Sequence, residues 1–302
     1  MNRHVALSVE IADALRAGRP VVALETTIVS HGMPWPDNLD TARAVEAVVR
    51  EAGAVPAAIA VMGGRIRVGL SRHELETLAK AKDVLKLSSA DIAYALTSGR
   101  TGATTVAATM IAANLAGIRV FATGGIGGVH RGAETSFDIS ADLTELSRTP
   151  VTVVCAGAKA LLDLPKTLEV LETLGVPVVS YGSPVFPAFW SRDSGLAAPI
   201  RLDSPGEIAD FMRMRAELGQ MGGMLVANPV PEADEIPAAE MAPVIAEAVA
   251  NAAAKGITGK AVTPFLLDAI FHLTGGRSLA TNIALVKNNA RLAAGIAVKL
   301  AD

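Results

Sequence analysis

Lys159 is the clearest candidate for chemistry in this 302-residue sequence, because it follows an apolar run that should be buried. Residues 151–155 (Val-Thr-Val-Val-Cys) have the composition of a strand inside a parallel sheet, and Gly157 ends the run. Ligands of open α/β sheets bind at the carboxyl ends of the strands. An amine held there beside apolar surface can act as a nucleophile toward carbon. The alternative is a solvated surface lysine, the commoner role of this residue type.

A carboxylate closes the first predicted strand, since the apolar residues 20–24 lead directly into Glu25. A glutamate at that position is costly unless it is hydrogen-bonded or functional. A partly desolvated carboxyl group can serve as a general acid. The alternatives are an ion pair or a cap for the next helix, and position alone does not choose between them.

A glycine-rich segment, residues 123–132 (Thr-Gly-Gly-Ile-Gly-Gly-Val-His-Arg-Gly), follows another predicted strand. Backbone amides in such a loop can cradle an anion, and His130 lies beside it. His130 stands where a dinucleotide fingerprint has its third glycine, and the segment lacks the Lys-Ser/Thr ending of a P-loop. A tight turn is the structural alternative.

Asp138 and Asp142 are four residues apart, so one helical turn would bring both carboxylates to the same face. With Ser140 between them, they offer the oxygen ligands that Mg²⁺ or Mn²⁺ prefers. Helix capping is the favoured alternative, with Ser140 or Asp138 as the N-cap and Asp142 in the first turn. Lys86, which closes a predicted strand at 84–87, and Asn289, near the end of the chain, have no role assigned by residue type alone.

Alternating strands and helices must position these groups. We predict strands at residues 20–24, 57–62, 84–87, 118–122, 151–155, 176–180 and 224–227. Helices are predicted near residues 38–52, 71–82, 89–98, 103–116, 140–148, 159–174, 204–218, 237–254, 263–274 and 278–300. The pattern indicates a three-layer α/β/α sandwich with a mainly parallel sheet, a helical C-terminal segment and one domain over residues 1–302. Gly63-Gly64 predicts a hairpin, which would make the sheet mixed.

Composition narrows the functional class. The net charge is −3 and no basic cluster is present, which argues against a nucleic-acid partner. Residues 101–118 carry no charge but hold four threonines and an asparagine, so we predict a buried helix and no membrane span. The N-terminus lacks the apolar core of a signal peptide, and the single cysteine fits a reducing cytoplasm.

Several long motifs together resemble the pseudouridine-5′-phosphate glycosidase family, which is related to the indigoidine synthase A proteins. The resemblance covers nearly the whole chain, including Ala-Leu-Glu-Thr-Thr (23–27), Ser-His-Gly-Met-Pro (30–34), Gly-Ala-Thr-Thr-Val (102–106), residues 121–134, Phe-Asp-Ile-Ser-Ala-Asp-Leu (137–143), Val-Cys-Ala-Gly-Ala-Lys (154–159) and Thr-Pro-Phe-Leu-Leu (263–267). It implies reversible cleavage of the C–C glycosidic bond of pseudouridine 5′-phosphate to uracil and ribose 5-phosphate. It also implies an α/β/α fold, Mn²⁺ as cofactor and a homotrimer.

The resemblance also assigns roles by motif. It makes Lys159 the covalent nucleophile, Glu25 the proton donor and Asp138 a metal ligand. Substrate contacts are implied for a further set of residues, namely Lys86, Val106, Thr123, His130, Ser140, Ala141, Asp142 and Asn289. Thr26 stands where serine is common in the family, a change that removes no catalytic group.

Three other functions use the same residues. A Schiff-base aldolase acting on sugar phosphates would employ the same lysine and glycine-rich loop. A sugar-phosphate sensor would retain the pocket without turnover. A pigment-pathway relative would hydrolyse a different phosphorylated nucleoside.

Overall fold

A computed structural model describes residues 2–257, 259 and 262–302. Eleven strands in these residues form one sheet. They are β1 (Val5–Leu7), β2 (Val21–Leu24), β3 (Val55–Met62), β4 (Arg65–Val68), β5 (Leu85–Leu87), β6 (Gly102–Thr104), β7 (Val120–Ala122), β8 (Thr152–Cys155), β9 (Val178–Tyr181), β10 (Ile200–Leu202) and β11 (Met224–Ala227).

The same residues form thirteen α-helices. They are α1 (Val9–Arg16), α2 (Thr27–Ser30), α3 (Asp37–Glu51), α4 (Arg72–Lys80), α5 (Ile92–Ser98), α6 (Val106–Ala116), α7 (Ala133–Ser136), α8 (Ala141–Arg148), α9 (Leu164–Thr173), α10 (Pro205–Glu217), α11 (Ala238–Ala254), α12 (Val262–Leu273) and α13 (Arg277–Ala301). None of the helices described is long and apolar enough to cross a membrane.

The sheet is mainly parallel, as predicted. Its strand order is β1-β4-β3-β2-β7-β8-β11-β9-β10, and every pair from β3 through β10 in this order is parallel. The second half of β3 pairs antiparallel with β4 and with β6, which confirms the hairpin at Gly63-Gly64 and makes the sheet mixed. Parallel order brings the carboxyl ends of β2, β7 and β8 side by side at one edge of the sheet.

Helices cover both faces of the sheet. On one face α13 packs against β2, β7 and β8 and is flanked by α3 and α10. On the other face α6 contacts β2, β3 and β7, and α8 packs beside it. The C-terminal segment is helical as expected, and α13 is the helix that covers the middle of the sheet. Burial on both faces accounts for the apolar strands, since parallel strands covered by helices have no solvated side.

Several element predictions differ from the structure. The strands β1, β6 and β10 were not predicted. The helix predicted at 103–116 begins at Val106, since residues 102–104 extend the sheet as β6. The helix predicted at 159–174 begins at Leu164, because the Asp163 side chain caps it by accepting from the Lys166 amide at 3.1 Å. Lys159 therefore lies in a loop. Lys86 lies within β5 and does not close it.

Asn38 ties together the helices that follow Glu25 in the chain. Its side-chain amide, 3 % exposed, donates to the Val29 carbonyl at 2.6 Å and to the Ala79 carbonyl at 3.0 Å. Asn38 belongs to α3, Val29 to α2 and Ala79 to α4, so a single side chain fixes three helices. The position of α2 matters because this short helix starts two residues after Glu25.

We expect Asn38→Ala to lower the free energy of unfolding by about 1–3 kcal/mol, because two buried carbonyls lose their donor. Urea unfolding followed by circular dichroism measures the change. Asn251→Ala is the control, since Asn251 is an exposed asparagine on α11 and its loss should cost less than about 0.5 kcal/mol. Equal midpoints for the two variants would contradict the role given to Asn38.

Candidate active site

A cavity of about 380 Å³ opens at the carboxyl ends of β2, β7 and β8. Nine of the eleven residues singled out from the sequence line it: Glu25, Lys86, Val106, His130, Asp138, Ser140, Ala141, Asp142 and Lys159. The other two, Thr123 and Asn289, lie behind its wall. Residues from separate parts of the sequence therefore meet where parallel sheets bind their ligands.

Glu25 enters the cavity from the end of β2 and is held by two threonine hydroxyls. Thr27 donates to Oε2 and Thr123 donates to Oε1. The intervening Thr26 is fully buried and donates to the Ile59 carbonyl at 2.7 Å. Two hydroxyl groups from different strand ends therefore hold this carboxyl group in place.

Lys159 is positioned by backbone pairing that continues beyond β7 and β8. The Ile126 amide donates to the Gly157 carbonyl and the Lys159 amide donates to the Ile126 carbonyl, both at 3.1 Å. Gly157 is required at this point, because its φ is +88° and a Cβ would lie 2.7 Å from the Pro187 carbonyl oxygen. The Lys159 side chain is partly buried and lines the cavity. Lys159 is therefore a cavity residue and not a solvated surface lysine.

Part of the glycine-rich segment is used for packing and backbone pairing. The amides of Thr123, Ile126 and Gly127 already donate to protein acceptors, respectively the Val154 carbonyl, the Gly157 carbonyl and Asp142 Oδ2. A Cβ on Gly127 would lie 2.3 Å from Ser140 Oγ, and one on Gly128 would lie 2.5 Å from Thr167 Oγ1. Close packing explains these two glycines, and Gly124 and Gly125 line the cavity, so anion binding by their amides stays a prediction.

Asp142 is buried, and its carboxylate joins two elements. Oδ1 accepts from the Ala107 amide in the first turn of α6 at 2.9 Å, and Oδ2 accepts from the Gly127 amide at 2.8 Å. Ser140 is the N-cap of α8 and accepts from the Asp142 amide at 3.2 Å. Ser140 therefore caps α8, as the capping alternative predicted. Asp142 belongs to α8, but its carboxylate caps α6.

Two lysines and two histidines give the cavity its electrostatic character. Burial lowers the pKa of His31, and the nearby charge of Lys86 lowers the pKa further. Burial also lowers the pKa of His130, although the carboxylate of Asp138 opposes this shift. Both lysines push the pKa of His130 down as well. Two lysines beside histidines whose pKa values are lowered suit a ligand that brings its own negative charge, such as a phosphate ester.

Thr123 and Asn289 support the site from behind. Asn289 is fully buried on α13 and donates to the Thr123 carbonyl at 2.9 Å, while it accepts from Asn228 at 3.1 Å. The Thr123 side chain is 1 % exposed and reaches Glu25. Both residues hold the start of the glycine-rich segment and contact the substrate cavity only through their neighbours.

Some lining residues were missed from the sequence. His31 and Thr27 belong to motifs already singled out, so their proximity to Glu25 was a usable signal. Thr105 and Asn282 also line the cavity, and the Thr105 hydroxyl is buried with no hydrogen-bond partner among the described residues. Thr105 belongs to the motif at 102–106, which was again a usable signal, whereas Asn282 has none, because an asparagine on a helix is most often structural.

The cavity wall has few side chains that could bind a metal ion, so a divalent cation there would keep most of its water ligands. No group of three or more His, Cys, Asp or Glu side chains in the described residues is arranged to hold a metal. Asp142 is occupied by two amides, which leaves Asp138 as the carboxylate free of that constraint on the cavity wall. One carboxylate, completed by water and a substrate phosphate, is a common environment for a hard cation.

The sequence profile of the family described as "Indigoidine synthase A like protein" matches residues 10–299, and the chain belongs to this family. It is 68% identical over 299 residues to the pseudouridine-5′-phosphate glycosidase of Paracoccus denitrificans (strain Pd 1222), with 98% of both chains covered. It is 69% identical over 291 residues to the protein of the same name from Methylobacterium nodulans, covering 96% of this chain and 86% of that one.

Two solved structures share the fold. The prealnumycin C-glycosynthase AlnA, in complex with ribulose 5-phosphate, superposes with a TM-score of 0.92 at 39% identity, covering 100% of this chain and 98% of that one. An indigoidine synthase A-like protein from Thermotoga maritima MSB8 has a TM-score of 0.90 at 36% identity, covering 100% and 99%. The resemblance stated from the motifs is confirmed.

We expect Asp142→Asn to lower the free energy of unfolding by about 1–3 kcal/mol, because asparagine has one acceptor oxygen for two amide donors. Asp138→Asn removes the same charge from the same cavity and should change stability by less than about 0.5 kcal/mol. Thermal unfolding of both variants without ligand makes the comparison. A stability loss confined to Asp138→Asn would contradict the structural role of Asp142.

Proposed function

We propose that this enzyme cleaves the C–C glycosidic bond of pseudouridine 5′-phosphate through an imine on Lys159, giving uracil and ribose 5-phosphate. One observation carries the assignment of residues. Glu25 and Lys159 line the same cavity, at the ends of strands separated only by β7. The names and high identity of the relatives support the reaction, and the cavity supplies an acid and an amine for it.

The leaving atom explains why an amine is needed. An ordinary glycosidase protonates an oxygen leaving group, but C5 of uracil has no lone pair to protonate. Glu25 gives its proton to the ribose ring oxygen, and the sugar opens. The neutral amine of Lys159 then adds at C1′. The proton that the amine loses on addition is balanced by the one that C5 takes up, and the nitrogen lone pair then expels uracil and leaves an iminium ion.

Hydrolysis completes the cycle. Water adds to the iminium carbon and gives one proton back to the Glu25 carboxylate. The nitrogen leaves as the free amine of Lys159, and open-chain ribose 5-phosphate is released. A carboxylate nucleophile could not form this iminium, and an arginine would remain protonated throughout. The same steps in reverse make the C–C bond, which agrees with the C-glycosynthase named among the solved relatives.

The remaining polar groups bind the substrate. Lys86 and His130 face the cavity and suit the phosphate, because a cation and a donor are needed there. The unpartnered Thr105 hydroxyl offers a hydrogen bond that no described protein group takes. Ser140, Ala141 and the amide end of α6 at Val106 complete the wall on the same side.

Mn²⁺ and a homotrimer belong to the same proposal. Asp138 would hold the metal, which supplies positive charge against the substrate's negative groups when bound. The family resemblance supports both features, and sedimentation equilibrium measures the mass of the assembly.

Trapping the imine tests the function. We expect borohydride to fix ribose 5-phosphate covalently to Lys159, because reduction of an imine leaves a stable amine, and intact-protein mass spectrometry with peptide mapping detects the adduct. Lys159→Ala should show no adduct and no turnover while remaining folded. Lys166→Ala is the matched control, since Lys166 is an exposed, ion-paired lysine outside the cavity.

Each result separates the alternatives. An adduct with release of uracil from pseudouridine 5′-phosphate supports the glycosidase, and an adduct without uracil release supports an aldolase. Binding of ribose 5-phosphate without any adduct supports a sensor. Normal turnover by Lys159→Ala would refute the mechanism.

We expect Glu25→Gln to reduce kcat by about 10²–10⁴-fold, the usual size of general acid–base catalysis. The side chain keeps its shape and its contacts with the two threonines, so the loss reports the proton. Steady-state uracil release measures it, with Glu172→Gln as an exposed control. An unchanged kcat would remove Glu25 from the role of acid.

A further inference from the structure

A groove of about 760 Å³ is lined mainly by residues of α1, α3, α4 and β4. Four of them are arginines, namely Arg43 and Arg50 of α3, Arg67 of β4 and Arg72 of α4. None of the described residues that line this groove also lines the substrate cavity, so the two spaces have separate walls. Small-molecule sites usually have volumes of about 300–1,000 Å³, and the groove is large enough to be one.

Three of the four arginines are not hydrogen-bonded to carboxylates. Arg43 Nη2 lies 3.8 Å from Glu76 Oε2, and Arg67 Nε lies 3.9 Å from Glu74 Oε1, both beyond hydrogen-bond distance. The Arg67 Nε atom is buried and has no hydrogen-bond partner among the described residues. Arg72 is exposed and makes no hydrogen bond in the part of the chain that the structure describes. These three guanidinium groups therefore keep N–H donors that a bound anion could use.

Three glutamates line the same groove, and they reduce its positive charge without cancelling it. Glu10 accepts a hydrogen bond from Arg50 at 2.8 Å. Glu74 Oε2 accepts from the amide and the hydroxyl of Ser71, both at 2.8 Å, as part of a capping box. Burial raises the pKa of Glu46, and the charges of the surrounding arginines oppose that rise. Four arginines against three glutamates leave the groove positive even when every carboxyl group in it is ionised.

Two helices also begin at the groove. Ser8 is the N-cap of α1 and accepts from the Ile11 amide at 3.3 Å, and Ser71 is the N-cap of α4 and accepts from the Glu74 amide at 3.2 Å. Both serines line the groove. The N-terminus of a helix carries a partial positive charge that favours anions. The backbone of α1 and α4 therefore adds to the positive field of the arginines.

We propose that this arginine-lined groove binds a small molecule with two or more linked phosphate groups, at a site separate from the substrate cavity. The fork of an arginine binds phosphate oxygens through two parallel hydrogen bonds. Linked phosphates present more oxygens than a single phosphate does, and so match arginines that come from three separate elements. The inference does not rest on the proposed function, because no residue of the substrate cavity takes part in it.

Isothermal titration with pyrophosphate tests the site. The titrated protein is the Lys86→Gln variant, because this change weakens phosphate binding in the substrate cavity and leaves the groove intact. We expect one pyrophosphate to bind per chain, and we expect binding to weaken as the salt concentration rises, because salt screens the charges of the groove. Sodium sulfate at the same ionic strength should displace little of the bound pyrophosphate.

Arginine substitutions in the same Lys86→Gln background locate the bound anion. Arg67→Gln and Arg72→Gln should each raise the dissociation constant about tenfold or more, because each removes charge-assisted hydrogen bonds. Arg16→Gln is the matched control, since Arg16 is an exposed, ion-paired arginine of α1 outside the groove, and its loss should leave the dissociation constant unchanged. Arg72→Gln should also keep the parent unfolding temperature, because Arg72 is exposed, so lost binding is separated from lost folding.

Pyrophosphate binding that survives both Arg67→Gln and Arg72→Gln would overturn the groove site, and equal displacement by sulfate would do so too, because it shows an adventitious ion only. Binding that is absent from Lys86→Gln would also overturn the site, because it places any bound anion in the substrate cavity. ADP identifies the source of the phosphates: equal or weaker binding than pyrophosphate supports a free polyphosphate, and tighter binding supports a nucleotide. In the otherwise unchanged chain, Arg72→Gln should release uracil at the wild-type rate, so failure of the groove leaves the proposed function intact.

Discussion

The hydrogen bonds between Ile126 and residues 157–159 hold Lys159 where it faces the cavity. They extend the parallel pairing of β7 and β8 beyond the last strand residues. The backbone of Lys159 is therefore hydrogen-bonded to its neighbour as in a strand, although it lies in a loop. The glycines of the segment make this close approach possible, since a side chain at Gly157 would collide with the Pro187 carbonyl. A reactive amine on a flexible loop would lose the orientation that addition to carbon requires.

Asp142 links the glycine-rich segment to α6 on the opposite wall of the cavity. By accepting one amide from α6 and one from Gly127, it places a negative charge at a helix N-terminus and fixes the distance between two walls. Asn289 does the corresponding work at the start of the loop, through the Thr123 carbonyl. Asp142 and Asn289 therefore use their side-chain hydrogen bonds to hold the backbone around the cavity, although in sequence they resemble metal or substrate ligands.

The sequence was sufficient for the parallel sheet and the hairpin, because apolar runs and a Gly-Gly turn predict them. The carboxyl-end rule placed Glu25 and Lys159 at one edge of the sheet, whereas residues such as Val106 and Ala141 were named only through the family resemblance. The start of the helix after Lys159 was missed although its signal is local, since Asp163 is an N-cap followed by a proline in the first turn. The ladder beyond β8 is a tertiary contact and could not be predicted from the sequence. Nor could the sequence separate Asp142 from Asp138, since two aspartates four residues apart look alike until their amide partners are known.

Glu25 lies at the end of β2 between two different surroundings. One side faces the large cavity, whose wall includes residues from β5, the glycine-rich segment and α8. The other side faces α3 across a small space with a mostly apolar wall. Because the strand end and two threonine hydroxyls fix Glu25 between them, the opposite wall of the large cavity can vary without moving this carboxyl group. A relative that acts on another phosphorylated ribose could then keep α3 while changing the front wall.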